Sequence, residues 1–214
     1  TLVNWVNDAS ARIERLQFAD GTTWDAAAML AAATVLTANV TTIVGTDDHD
    51  ELDGTAGPDH VFAGLGSDSI DAGDGDDVLA GEAGNDMLAG GRGNDTYRYG
   101  RGDGNDFIAE FDATPGNIDT VALIGGLVPA DVTLSRSVRN LVLTLNDTAE
   151  TLTINGWFAD GAQQVERIVF ANGAVWDSDF ISAMLPPTPA GAGDDFIEGT
   201  SGADALAGLA GNDI

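Results

Sequence analysis

Cysteine is missing from all 214 residues, so no disulfide can staple the chain and no thiol can serve it as nucleophile or redox centre. Lysine is missing too: the eight basic residues are all arginines, set against 35 acidic residues for a formal charge of -27. The arginines do not cluster into the basic face that a nucleic-acid partner would need. No apolar run approaches the length of a membrane span, and no amino-terminal signal peptide is present. The two histidines, His49 and His60, stand apart from each other and from any nucleophile, and read as surface positions. There is no G-x-S-x-G, no H-E-x-x-H and no phosphate loop, so the chain reads as a protein without catalysis of its own.

What the chain does hold is a period. From Gly45 to Arg98 it divides without a gap into GTDDHDELD, GTAGPDHVF, AGLGSDSID, AGDGDDVLA, GEAGNDMLA and GGRGNDTYR. Position six is always aspartate: Asp50, Asp59, Asp68, Asp77, Asp86 and Asp95. Position eight is always apolar: Leu52, Val61, Ile70, Leu79, Leu88 and Tyr97. After a two-residue slip at Tyr99 and Gly100 the pattern resumes in RGDGNDFIA, with Asp106 and Ile108. It returns near the end as AGAGDDFIE, GTSGADALA and GLAGNDI, with Asp195, Asp204 and Asp213 at position six. A fixed period of this kind demands a repeated supersecondary unit, because a disordered acidic tract has no reason to keep a register.

Nine residues leave a glycine-rich turn of six and a strand of about three, far below independent stability. Two successive units make one turn of a flattened helix, so each unit stacks on the unit two places on, at a strand spacing of roughly 4.8 Å. The aspartates then sort onto two edges, Asp50, Asp68 and Asp86 on one, Asp59, Asp77 and Asp95 on the other. Carboxylates stacked at that spacing repel by about 0.8 kcal/mol per neighbouring pair even in water. A hard divalent cation between turns reverses the sign, and calcium accepts six to eight oxygens in flexible geometry. Sulfur and imidazole ligands are essentially missing, which argues against zinc and copper, and magnesium needs stricter octahedral geometry. Asp47, Asp48, Asp74 and Asp76 read as solvent-facing turn residues rather than further ligands.

A second, longer repeat frames the first. Trp5, Asp8, Glu14, Arg15, Phe18, Gly21, Trp24 and Asp25 recur as Trp157, Asp160, Glu166, Arg167, Phe170, Gly173, Trp176 and Asp177. Each copy reads as short strands followed by a helix, from Ala26 to about Leu36 in the first and from Asp177 through Met184 in the second. Between the blocks, 117–123, 132–137, 140–145, 151–158 and 165–170 read as strands of a compact antiparallel module. Pro186, Pro187 and Pro189 read as a stiff linker. The two periods together predict a piece of a larger repetitive protein.

The nonapeptides resemble the RTX (repeats-in-toxin) unit G-G-x-G-x-D-x-U-x, with U a large apolar residue, a pattern already associated with calcium-binding β-helices. GGRGNDTYR matches every fixed position, whereas GTDDHDELD carries Asp48 where glycine belongs. The stretch from Gly90 to about Met184, with GNDTY, GRGDGNDFI, GNIDT, NLVLTL, TINGWF and VERIVFANG in order, resembles the haemolysin-type calcium-binding related module. Arg101-Gly102-Asp103 therefore falls within a module pattern rather than spelling a cell-adhesion signal.

The resemblance implies an all-β fold, a calcium-loaded parallel β-roll followed by an antiparallel β capping module with short helices. Residues 1–38 would be the carboxyl-terminal part of an upstream capping module, 39–109 the roll, 110–186 its cap, and 187–214 a linker and the start of another roll. It implies several calcium ions, each shared between turns two units apart: Asp50 with Asp68, Asp68 with Asp86, Asp59 with Asp77 and Asp77 with Asp95. Whether Asp86 pairs with Asp106 depends on how the slip at Tyr99 and Gly100 is absorbed. The implied setting is a secreted or surface protein of a bacterium, a toxin, adhesin or exoenzyme, exported by type I secretion and folding on calcium outside the cell, here as a monomer. Two other readings stay open, a glycan or host-surface binding module using the tryptophans, and an accessory domain of a secreted hydrolase or epimerase.

Overall fold

The computed structural model describes residues 40–159 and 163–185, together with the backbone of two short strands nearer the amino terminus. Those two, β1 (Arg15–Gln17) and β2 (Thr23–Asp25), pair antiparallel with Leu16 opposite Trp24. The helix expected over 26–36 lies outside the described residues.

From Thr41 onward the strands fall alternately into two sheets. One sheet collects β3 (Thr41–Val44), β5 (Asp59–Gly66), β7 (Val78–Gly84) and β9 (Thr96–Tyr99). The other collects β4 (Glu51–Asp53), β6 (Ser69–Asp71), β8 (Met87–Ala89) and β10 (Asp106–Ile108). Pairing is parallel where registers are resolved, and unit stacks on unit two places on: Leu52 lies beside Ile70, Val61 beside Leu79, Ile70 beside Leu88 and Leu79 beside Tyr97. The position-eight side chains therefore form two ladders that face each other between the sheets. Val61, Ile70, Leu79, Leu88, Tyr97 and Ile108 are buried there, and Leu52 at the open end is half-buried. At about 2 kcal/mol per buried large apolar side chain, this single column is the main hydrophobic term of the roll.

The slip leaves the stack intact. Phe107 pairs with Met87 and Ile108 with Leu88, so the pairing of β10 on β8 continues with two extra residues accommodated before it. Tyr99, one of those two, is buried, and its hydroxyl donates to the Gly104 carbonyl at 2.8 Å.

The cap is more closely merged with the roll than an antiparallel module would be. β11 (Thr120–Leu123) extends the first sheet in parallel with β9, and β15 (Arg167–Val169) lies parallel on β11. β14 (Thr151–Ile154) does the same on β10 in the second sheet. Only the outermost strands reverse, β16 (Val175–Asp177) on β15, and β13 (Asn140–Leu145) with β12 (Val132–Ser137) beyond β14. Among the described residues each of these two sheets has seven strands. Trp157 is fully buried, its indole N–H donating to the Val165 carbonyl at 2.9 Å, and Trp176 packs edge-on against Phe170. The helix α1 (Ser178–Met184) starts at Asp177, whose Oδ1 accepts the Phe180 N–H at 2.9 Å, as the sequence leads one to expect.

The long repeat is visible in the backbone. β15 and β16 pair with Arg167 opposite Asp177 and Ile168 opposite Trp176, the same register as Arg15 with Asp25 and Leu16 with Trp24. Among the described residues no helix is long and apolar enough to cross a membrane.

Candidate metal centre

Each turn hands its position-six aspartate to the turn before it. On one edge the Asp50 N–H donates to Asp68 Oδ1 at 2.8 Å, the Asp68 N–H to Asp86 Oδ1 at 2.8 Å, and the Asp86 N–H to Asp106 Oδ1 at 3.0 Å. On the other the Asp59 N–H donates to Asp77 Oδ1 at 2.7 Å and the Asp77 N–H to Asp95 Oδ1 at 2.9 Å. The two-edge sorting follows from the period, because a strand spacing of two units brings every second aspartate into line. Asp106 joins its edge in spite of the slip.

The second edge runs further than the nonapeptides do. The Asp95 N–H donates to Asp119 Oδ1 at 2.8 Å, and the Asp119 N–H to Glu166 Oε2 at 2.7 Å. Neither Asp119 nor Glu166 is among the sequence-derived ligands, since the steps of 24 and 47 residues break the period. A local signal exists all the same: Asp119-Thr120-Val121 repeats the acid, threonine, apolar order of Asp95-Thr96-Tyr97.

With Oδ1 engaged by a backbone N–H, the other oxygen of each carboxylate decides what the turn can do. The Oδ2 atoms of Asp68, Asp77, Asp86 and Asp95 are buried and have no hydrogen-bond partner. A buried carboxylate oxygen without a donor costs free energy on the order of a few kcal/mol, and native structures seldom leave one. In the first two turns Oδ2 has a donor, the backbone N–H of the position-two residue: the Thr46 N–H donates to Asp50 Oδ2 at 2.6 Å and the Thr55 N–H to Asp59 Oδ2 at 2.5 Å. In the turns of Asp86 and Asp95 glycine at position one lets the backbone pass close beside the orphan oxygen, whereas Ala63 and Ala72 hold that position in the turns of Asp68 and Asp77. A Cβ added to Gly81 would lie 2.3 Å from Asp86 Oδ2, and one added to Gly90 2.3 Å from Asp95 Oδ2.

The protons report the same crowding. Burial, reinforced by neighbouring carboxylates, pushes Asp77 up to about 6, Asp95 to about 7 and Asp106 to about 8. Asp119 rises to about 8 and Asp86 moves in the same direction, again chiefly through burial. The arrangement is one in which negative charge is unwelcome unless a cation offsets it. The orphan oxygens and an all-oxygen donor set fit a hard cation such as calcium.

Position five has a role that the sequence alone did not suggest. Asp76 Oδ1 accepts the Asn94 N–H, Asn85 Oδ1 the Asn105 N–H and Asn94 Oδ1 the Ile118 N–H, so these side chains brace the next turn on the same edge. Asp47, Asp48 and Asp74 are exposed, as expected of solvent-facing turn residues. Asp195, Asp204 and Asp213 lie outside the described residues. The Arg101-Gly102-Asp103 tripeptide is tied into the cap: Arg101 Nε donates to Asp147 Oδ2 at 2.7 Å and the Gly102 N–H to Glu150 Oε2 at 3.0 Å.

The family described as the RTX calcium-binding nonapeptide repeat (4 copies) matches residues 44–79, 62–97, 71–108 and 190–214. The haemolysin-type calcium binding protein related domain matches residues 1–28 and 140–179, which contain the two copies of the long repeat. No curated protein matches the chain. Among solved structures, the AlgE6R2 subunit of the Azotobacter vinelandii mannuronan C5-epimerase is 28% identical, over 61% of this chain and 93% of its own, with a TM-score of 0.44. The AlgE6R3 subunit of the same epimerase is 28% identical, over 79% of this chain and 96% of its own, with a TM-score of 0.42. The chain thus carries RTX calcium-binding nonapeptide repeats, stacked into a parallel roll over 44–108, and segments matched by the haemolysin-type calcium binding protein related domain on either side.

Proposed function

We propose that this calcium-binding chain is a non-catalytic folding and spacer module of a larger secreted bacterial protein, a toxin, adhesin or exoenzyme exported by type I secretion. The observation that carries the reading is the row of buried Oδ2 atoms on Asp68, Asp77, Asp86 and Asp95, each without a donor. Asp50, Asp59 and Asp106 complete the two edges, and Asp195, Asp204 and Asp213 would begin another roll. Calcium, when bound, supplies the positive charge that these turns lack. The aspartates hold their Oδ1 atoms on the backbone of the preceding turn and offer Oδ2 to the ion, so one side chain closes a turn and binds in it. Strands of three residues cannot stand alone, and folding is therefore linked to binding. Affinity would fall in the weak extracellular class, roughly 0.1 to 1 mM, so the chain stays open where calcium is scarce and closes outside the cell. The burial of Trp157 and Trp176 favours core packing in the cap over a surface platform for glycan.

Far-ultraviolet circular dichroism of the chain in excess chelator, then titrated with calcium, tests the reading. The expected result is a largely unfolded spectrum that converts to β-structure in the sub-millimolar to millimolar range, and not on addition of magnesium. A chain fully β-structured in chelator would overturn it.

A further inference from the structure

A cluster of three carboxylates sits where the roll meets the cap. Asp95, Glu110 and Asp119 are all buried, and each offers an oxygen such that the three lie within 4.8 Å of one another. Only Asp95 belongs to a nonapeptide. Glu110 follows the last repeat, and Asp119 immediately precedes β11 in the cap.

Three observations separate this cluster from a chance gathering of acids. Asp95 Oδ2 is buried without a hydrogen-bond partner, and it faces the group: a Cβ on Gly90 would lie 2.3 Å from it and 2.6 Å from the Tyr97 hydroxyl. That hydroxyl in turn donates to Glu110 Oε2 at 2.5 Å and accepts the Gly90 N–H at 2.8 Å. Glu110 is thus fixed from both sides, its Oε1 accepting the N–H groups of Phe111 at 2.8 Å and Asp112 at 3.1 Å. Asp119 is fixed as firmly, by the Asp95 N–H on Oδ1 and by Asn117 Nδ2 on Oδ2 at 3.0 Å. Arg92 pairs with Asp74, and Arg101 with Asp131 and Asp147, none of them a member of the cluster. Three carboxylates held rigidly in one buried place, with a free oxygen turned toward them, call for a cation.

We propose that Asp95, Glu110 and Asp119 form a further site for a hard divalent cation, calcium by its oxygen donors, that lies outside the nonapeptide pattern and fastens the cap to the roll. It rests on the calcium reading of the repeats, but it differs from the repeat sites in kind. Two of its three carboxylates come from beyond the repeats, so a roll that ends at Arg98 lacks the site. Tyr97 acts as a positioning residue, through its bond to Glu110. The ion joins β9, β11 and the connection between them, which links closure of the last turn to docking of the cap.

Counting bound ions tests this. The full chain refolded in calcium is measured by native mass spectrometry as wild type, as Glu110→Gln and as Asp74→Asn, an exposed carboxylate. The expected result is one ion fewer for Glu110→Gln, with the circular dichroism of the roll retained, and an unchanged count for Asp74→Asn. An unchanged count for Glu110→Gln overturns the site while leaving the repeat sites standing. Wild-type chain that takes up no calcium overturns both readings together. If Glu110→Gln does not fold, crystals of the wild-type chain grown in calcium decide: an anomalous peak between Asp95, Glu110 and Asp119 supports the site, and its absence overturns it.

Discussion

Asp77→Asn should change the stability of this chain in opposite directions with and without calcium. The substitution keeps shape and removes charge. Asp77 is buried, accepts the Asp59 N–H on Oδ1, and leaves Oδ2 without a donor. In chelator its carboxylate is a liability: burial pushes it up to about 6 from an ordinary value of 3.8. That rise corresponds to about 3 kcal/mol against the charged form, so the asparagine variant should be more structured than wild type once calcium is removed. In 10 mM calcium the balance reverses. Asp77 is shared by two proposed sites, with Asp59 and with Asp95. An ion of Kd roughly 0.1 to 1 mM contributes about 1.4 to 2.7 kcal/mol at that concentration, so losing both forfeits about 3 to 5 kcal/mol of calcium-dependent stability. Urea unfolding followed by circular dichroism, in chelator and in calcium, reads both effects, with Asp74→Asn as the exposed control. A calcium increment equal to that of wild type, or equal for the two variants, would refute the assignment of Asp77 as a shared ligand.

Three further outcomes follow from the geometry. Gly93→Ala should abolish calcium-induced folding, because its Cβ would sit 1.7 Å from the Gly75 carbonyl oxygen at a φ of 133°, and a wild-type calcium titration would contradict the stacking. Glu82→Gly should stabilise the calcium form by about 0.5 to 1 kcal/mol, since Glu82 holds a φ of 63° at the position where Gly64, Gly73 and Gly91 also take positive φ; a lower calcium midpoint checks it. In chelator, acidification should add structure: Asp77, Asp95, Asp106 and Asp119 are raised to about 6, 7, 8 and 8, so their contribution is complete below about pH 4 and lost as pH rises through 6 to 8. In calcium the midpoint should instead rise on acidification, because protons compete for the same oxygens; loss of structure in chelator between pH 8 and 5 would contradict this.

Much of the roll was legible because a fixed period converts directly into space. Aspartate at every ninth place, with strands stacking two units on, dictates that Asp59, Asp77 and Asp95 share an edge, and their 18-residue hydrogen bonds follow. Alternation of apolar and polar residues also located β12 and β13 at their ends. What alternation does not carry is direction. β11, β14 and β15 read as members of an antiparallel module, yet all three run parallel to the roll, because nothing in a four-residue strand says which way its neighbour points. The slip obscured Asp106, although two residues are readily absorbed in a loop while the hydrogen bond from Asp86 is kept. Glu110 and Asp119 escaped because they break the period, and a site assembled from one repeat and two irregular positions leaves no spacing to detect. The contrast between partnered Oδ2 on Asp50 and Asp59 and orphaned Oδ2 further along rests on the backbone N–H groups of Thr46 and Thr55, which leave no mark in residue type and show only in the turn geometry.

The central claim is that cations closing the aspartate edges decide whether the roll exists. Hydrogen exchange of the amides of Asp50, Asp59, Asp68, Asp77, Asp86 and Asp95 tests it most directly, because each donates to the carboxylate of the next turn. In calcium these amides should be protected, and in chelator they should all exchange at unfolded rates. Protection that persists in chelator would mean that the stack stands without its ions, and would contradict the account.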